Sequence, residues 1–365
     1  MIIRVEGLTK TFRTRERNSG FKGSLSSFIN PQYRIRQAVK PTSFSLDAGE
    51  VLAFIGPNGA GKSTTIKMLT GILHPSAGSA SVLGLVPWEQ RHQLAFHIAS
   101  VYGQKSQLWY HLPPQDTFDL LARIYELDQL AYRKRRDFLI EVFAIAEYMR
   151  TPARKLSLGE RMRCELAAAL LHQPSIVFLD EPTIGLDVIA KQRIRDLIAR
   201  LNVEEGLTVF LTSHDAGDIE QVCKRAIVIN HGEIVLDAPV ETLKREYLRV
   251  KTVDLLLGDA VEALVSIDSE SGEQCLRGEL AVGREARLGK TGIKVLEARD
   301  YRLKLEIDIG RCPLEPVIAA IMQHGHVVDM NIADPPMEEI ISLIYQQVGQ
   351  DNQRPESDPA VRGVL

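Results

Sequence analysis

The sequence predicts an α/β fold with its working groups at the carboxyl edge of an open sheet, on three observations. Short, continuously apolar runs recur at Val51–Ile55, Ile98–Tyr102, 176–179 and 209–212, and read as buried strands. Each ends in a turn carrying a polar residue suited to chemistry: Lys62, Gln104, Asp180 with Glu181, and His214. The first of these turns, 56–64, is glycine-rich and leads from a strand into the helical pattern 65–69. In an open α/β sheet ligands gather outside the carboxyl ends of the strands, so these turns are expected to share one ligand.

Composition sets the outer limits. The 365 residues are 45% hydrophobic and 25% charged, enough for two ordinary globular domains. A formal net charge of −3 gives no global positive field for nucleic acid, and none is expected as a partner. Cys164, Cys223, Cys275 and Cys312 show no C-x-x-C spacing and suit free thiols in a reducing cytoplasm. The N-terminus alternates like a strand and carries no signal-peptide core, and no run of about 18 apolar residues is present. Any service to a membrane is expected to go through a partner.

Taken in order, the first strand runs into Leu8–Thr9–Lys10–Thr11–Phe12 and then an insert. Within it Phe21, Leu25, Phe28 and Ile29 share one helical face, flanked by Arg13, Arg15, Arg17, Arg34 and Arg36 and closed by Asn30–Pro31. A basic amphipathic segment of this kind lies at a bilayer surface or against a partner, or else packs on its own domain. Strand signals resume at 42–46, with a turn at 47–49. The stretch 116–148 is mostly helical, with Phe118, Leu121, Ile124 and Tyr125 at helix spacing, and Leu156–Ser157–Leu158–Gly159–Glu160 opens a further helix. Residues 226–229 and 233–235, joined across Asn230–His231–Gly232, read as a hairpin.

The turn 56–64 is a phosphate cradle. Gly56, Gly59 and Gly61 allow backbone conformations closed to other residues, so successive N–H groups converge on phosphate oxygens at a helix N-terminus. Pro57, Asn58, Ala60 and Thr64 complete the loop; Lys62 brings a positive charge to the β- and γ-phosphates and Ser63 a hydroxyl to Mg²⁺. Asp180, at the end of an apolar strand, is placed to hold Mg²⁺ through water, and Glu181 is the candidate general base. Gln104 can touch both metal and water, and His214 can donate to the γ-phosphate.

With the phosphate loop, Gln104, the run Leu156–Glu160, the acidic strand end, Asp187 and His214 in this order, the chain resembles the nucleotide-binding subunit of an ATP-binding cassette (ABC) transporter over nearly all of residues 1–240. The resemblance implies a P-loop NTPase domain of ABC type with a helical signature subdomain, ATP and Mg²⁺ as cofactors, and hydrolysis of ATP. It implies a homodimer in which Ser157, Gly159 and Glu160 of one copy face the phosphate loop of the other. Separate membrane-spanning permease subunits are implied too, with this chain peripheral at the cytoplasmic face of the membrane. Phe12 stands where the family stacks an aromatic ring on adenine; a core role is the other reading. The signature departs from Leu-Ser-Gly-Gly-Gln at Leu158 and Glu160, and Arg161 is expected to offset the charge of Glu160.

Boundaries are expected at about 242 and 348: a nucleotide-binding domain over 1–242 with its helical part near 105–160, a small C-terminal α/β domain over 243–348, and a disordered tail over 349–365. In the second domain Leu303, Leu305, Ile307 and Ile309 alternate with Arg302, Lys304, Glu306 and Asp308 as a half-exposed strand. A helix follows with Val317, Ile318, Ile321 and Met322 apolar, then a strand at 327–332 and a helix from Pro336 to about Val348. This part resembles the C-terminal extension of bacterial drug-exporter ATPases, and the insert resembles the membrane-facing helix of polysaccharide exporters. Export is therefore the expected role; the alternatives are an importer subunit, or a soluble cassette ATPase acting on nucleic acid or ribosomes.

Overall fold

The computed structural model describes residues 1–15, 33–103, 106–213, 215–247, 250–258, 265–267, 274–276, 292–333 and 344. Gln104, His214, the expected helix around Phe21, the expected tail and all but Ile344 of the expected last helix lie outside them. The chain divides into two compact units, Met1–Val240 and Glu241–Leu365, against an expected boundary after residue 242.

The first unit is built on a six-stranded sheet. Its strands are β3 (Val51–Ile55), β5 (Ile98–Tyr102), β6 (Ile176–Asp180), β7 (Thr208–Ser213), β8 (Arg225–Asn230) and β9 (Glu233–Pro239), in the order β5-β6-β7-β3-β8-β9. All neighbours run parallel except β8 and β9, which form the expected hairpin. Every residue of β3 and β7 is buried, as strands covered on both faces require. A second, antiparallel sheet, β2-β1-β4, is formed by β1 (Ile3–Arg15), β2 (Tyr33–Leu46) and β4 (Ala77–Val82). Phe44 of β2 packs on Phe54 and Phe210 of the main sheet, ring centroids 5.7 and 6.1 Å apart, so one apolar core joins both sheets.

Helix α1 (Lys62–Leu69) follows the phosphate loop, and α2 (Arg91–Ala95) precedes β5. Between β5 and β6 lie α3 (Pro114–Ile124), α4 (Gln129–Val142) and α5 (Leu158–Ala169). Phe118 is fully buried there and Leu121 and Tyr125 are half-buried, whereas Ile124 is exposed and drops out of the expected apolar stripe. Helices α6 (Val188–Glu205) and α7 (Ala216–Val222) flank β7, and their N-terminal N–H groups are capped by Asp187 and Asp215. Helix α8 (Val240–Tyr247) leads out of the unit.

The second unit holds an antiparallel sheet of order β13-β14-β10-β15, from β10 (Val250–Leu257), β13 (Ile293–Arg299), β14 (Arg302–Asp308) and β15 (Val327–Ala333). A separate pair joins β11 (Val265–Ile267) to β12 (Gln274–Leu276). Helix α9 (Leu314–His324) buries Val317 and Ile321 against Leu255, Leu303 and Leu305. Two residues expected inside are outside. Ile309 falls in the turn after β14 and is exposed, and Met322 lies a further 100° round the helix from Ile321 and is 59% exposed.

Glu165, facing inward from α5, is 2% exposed, and its Oε2 has no hydrogen-bond partner among the described residues. Burial pushes its carboxyl above the usual carboxylate range, against the opposing pull of the Ser106 hydroxyl, the Arg161 charge and the Gln107 backbone. A carboxyl held more basic in the folded state favours folding when protonated, and that favour is lost as pH rises through its folded-state value. Glu165→Gln should therefore raise the melting midpoint at pH 7. The gain should vanish below about pH 4, where an unfolded-state Glu is also neutral. A midpoint lowered at pH 7, measured by scanning fluorimetry, would contradict this account of Glu165.

Candidate nucleotide site

The phosphate loop closes over the end of β3, and its shape demands glycine at the point where α1 begins. Gly61 sits at φ +111°, and a Cβ there would lie 2.7 Å from the Ala38 carbonyl oxygen. The N–H groups that open α1 face the resulting cleft, which encloses about 220 Å³. Pro57, Asn58, Gly59 and Gly61 line it with Lys62, Ser63 and Thr64; Phe12, Arg36, Ala38 and Glu181 complete the wall. Gly56 and Ala60 belong to the same turn without lining the cleft.

The charge at the bottom is Lys62, only 5% exposed. Its Nζ donates to the Gly56 carbonyl at 2.6 Å and stands 3.5 Å from Glu181 Oε1, too long for a tight ion pair. A buried ammonium with donors to spare suits an anionic ligand entering the cleft. Asp180 ends β6 and Glu181 opens the turn after it. Asp180 Oδ1 accepts from the Thr212 hydroxyl at 2.6 Å, and the Glu181 N–H donates to the Thr212 carbonyl at 3.0 Å. Glu181 takes φ +54°, a strained position for a residue with a side chain, fixed on both sides by these bonds across to β7. The Gly103 N–H donates to the Asp180 carbonyl at 2.9 Å, so the strand leading to Gln104 is pinned to the same acidic turn. The hydroxyl of Ser63 and the carboxylate of Asp180 are hard oxygen donors of the kind Mg²⁺ prefers.

Phe12 lines the cleft at 37% exposure, with the Lys10 ammonium 5.4 Å from its ring centroid. Across the strand pair it is directly opposite Arg36. Arg36 was read from the sequence as a basic flank of the insert. Its guanidinium instead reaches the mouth of the cleft, with Nη2 3.3 Å from where a Gly59 Cβ would stand. Only the pairing of strands across the insert, with its register shifts near Lys10, brings it there.

The residues at the signature position form a different place. Ser157 Oγ caps α5 by accepting from the Glu160 N–H at 3.3 Å, and the Glu160 carboxylate accepts from the Ser157 N–H at 2.8 Å. The expectation for Arg161 is corrected: its Nε lies 3.7 Å from Glu165, and the charge of Glu160 is satisfied by the capping box instead. Ser157, Gly159 and Glu160 line a depression of about 290 Å³ with Asp187 and Arg193. No described residue lines both this depression and the nucleotide cleft.

A family model described as "ABC transporter" matches residues 39–184. The daunorubicin/doxorubicin resistance ATP-binding protein DrrA of Streptomyces peucetius is 30% identical over 315 residues, which covers 84% of this chain and 94% of that one. The chain belongs to the ABC transporter family. The ABC transporter ATP-binding protein NatA of Bacillus subtilis is 30% identical over 210 residues, 58% of this chain and 85% of its own. Among solved structures, a dimeric ATP-binding cassette in a post-hydrolysis state bound to ADP and Pi has the same fold. It superposes with a TM-score of 0.54 at 23% identity, covering 65% of this chain and 98% of that one. The chain is thus an ATP-binding, ATP-hydrolysing subunit of an ABC transporter. No helix among the described residues of this ABC subunit is long and apolar enough to cross a membrane.

An exposed guanidinium–phosphate contact contributes up to about 1 kcal/mol. Arg36→Ala should therefore weaken ATP binding about fivefold at low salt, with a smaller difference at high salt. Equilibrium binding measured across salt concentrations checks this, and an unchanged affinity at low salt would remove Arg36 from the site.

Proposed function

We propose that this subunit powers export through separate membrane-spanning subunits, working as a pair of identical chains that share two ATP sites. The observation that carries the pairing is the separation of the cleft at Lys62 from the depression at Ser157 within one compact unit. Each is one wall of a site, and a two-fold pair of chains brings unlike walls together twice. The dimeric cassette to which this chain is similar in fold supports that arrangement.

In the paired site the phosphate-loop N–H groups and Lys62 would hold the phosphates, with Arg36, beside Gly59, adding its charge to them and Phe12 at the nucleoside end. Ser63 and Asp180 would hold Mg²⁺, which supplies positive charge to the phosphoryl group when bound. Glu181 orients and deprotonates the attacking water; its fixed backbone leaves only the side-chain torsions to set. Gln104 follows a strand pinned to the acidic turn and would report the state of the site, and His214 would donate to the γ-phosphate. Ser157, whose oxygen accepts from the Glu160 N–H, keeps its O–H proton to donate to the partner's nucleotide, next to the backbone of Gly159. Glu160, held by the capping box, stabilises the helix end that presents them.

Export is supported by relatives whose names carry it: the drug-resistance protein DrrA, and the Nod factor export ATP-binding protein I of Neorhizobium galegae, 32% identical over 63% of this chain. The exposed rings of Trp109 and Tyr110, just after position 104 and next to the buried Leu108, offer a face for a membrane partner at the cytoplasmic surface. The transported substance is determined outside this chain.

One variant tests the proposal twice. Glu181→Gln should bind Mg·ATP yet hydrolyse it roughly 10²- to 10⁴-fold more slowly. Held with nucleotide, the tagged variant should be recovered from detergent-solubilised membranes together with integral membrane subunits. Near-normal turnover would reject the role of Glu181, and recovery without any membrane subunit would reject the transporter assembly.

A further inference from the structure

Behind the catalytic turns lies a closed set of charges centred on Asp218. Asp218, the third residue of α7, is 1% exposed and accepts three hydrogen bonds. Two come from hydroxyls to the same atom, Oδ2: Thr183 Oγ1 at 2.6 Å and Ser213 Oγ at 2.7 Å. Thr183 is two residues past Glu181, and Ser213 is the residue before His214. The third comes from Arg195 Nε to Oδ1 at 2.7 Å, from the middle of α6. Arg195 also donates through Nη2 to Asp215 Oδ1 at 2.6 Å, and Lys191 Nζ donates to Asp215 Oδ2 at 2.5 Å. The Asp215 N–H returns to Ser213 Oγ at 2.9 Å.

We propose that Asp218 is a positioning residue for ATP hydrolysis: one carboxylate oxygen clamps the turn after Glu181 to the strand end before His214, and Arg195 anchors the clamp to the helix that starts at Asp187.

Three points support it. Buried ion pairs contribute little net stability, because desolvation offsets the attraction; what a fully satisfied buried network does supply is a single geometry. Here two acids face two bases with the lone pairs matched to donors, so the network is complete. Burial alone would raise the Asp215 carboxyl, yet the Lys191 hydrogen bond and the Arg195 charge hold it below the usual carboxylate range. Finally, the elements it joins are the acidic turn, the strand end before position 214 and the helix behind Asp187. These form the back of the reacting region, and none of the network's side chains lines the nucleotide cleft.

The inference rests on Glu181 and His214 as the hydrolytic pair, which Glu181→Gln and His214→Ala test by themselves. Asp218→Asn keeps the shape but cannot serve both sides: an NH₂ in place of Oδ1 leaves Arg195 Nε without its acceptor, and one in place of Oδ2 leaves the Thr183 and Ser213 hydroxyls without theirs. In the full chain it should lower kcat about 10- to 100-fold with the nucleotide Kd changed less than about threefold, since a displaced catalytic group costs turnover rather than binding. Because the clamp acts through the turn after Glu181, the strand end before His214 or both, adding Asp218→Asn should cost less than about threefold more in at least one of the Glu181→Gln and His214→Ala backgrounds. Should Asp218→Asn fail to fold, Thr183→Val and Ser213→Ala each remove one donor to Oδ2 and are expected to show the same split. Unchanged kcat, equal loss of binding and turnover, or full additivity with both His214→Ala and Glu181→Gln would each overturn the proposal.

Discussion

A buried ammonium must be matched, and the Lys62 ammonium determines what the surrounding elements supply. It sits at the start of α1, reaches back to the Gly56 carbonyl at 2.6 Å and faces Glu181 at 3.5 Å. The main-sheet order β6-β7-β3 brings those groups together: β3 delivers the loop, β6 the acids, and β7, between them, binds the acidic turn through Thr212. Parallel strands with all four turns at one edge are the simplest way to bring such groups to one point, because each turn is reached without reversing the sheet. The apolar core, with Phe210 packed between Phe54 and Phe178, keeps those strand ends in register.

The phosphate loop, the strands and the acidic turn were legible in the sequence because their chemistry is contiguous: a strand, its turn and the next helix follow one another directly in the chain. Arg36 was not, since its place at the cleft depends on antiparallel pairing of β1 with β2 across the insert and on shifts of register that no periodicity encodes. The Asp218 network was hidden for a related reason. Its donors come from Thr183, Arg195 and Ser213, on three separate segments, and each alone reads as an ordinary polar residue. For Glu160 the signal was available: Ser157 followed three residues later by Glu is the capping-box pattern, and it accounts for the carboxylate without Arg161. Met322 was misplaced because a stripe counted on residue type alone takes in a neighbour 100° too far round.

The signature end of the molecule gives the proposed assembly its physical basis. Ser157 and Gly159 open a capped helix whose N-terminus favours an anion, yet the carboxylate of Glu160 already stands there, bonded to the Ser157 N–H. A charged cap steadies the helix end and lowers its attraction for phosphate. On the proposed reading, the two copies are drawn together mainly by the nucleotide held at Lys62 and by contacts around Asp187, so pairing depends on bound ATP.

The central claim, that one chain's Lys62 cleft is completed by Ser157 of another, is tested most directly by sedimentation of Glu181→Gln with and without Mg·ATP. The account predicts a single chain without nucleotide and a two-chain particle with it, and predicts that adding Ser157→Arg returns the nucleotide-bound protein to a single chain. Pairing that is indifferent to ATP, or that survives Ser157→Arg unchanged, would contradict it.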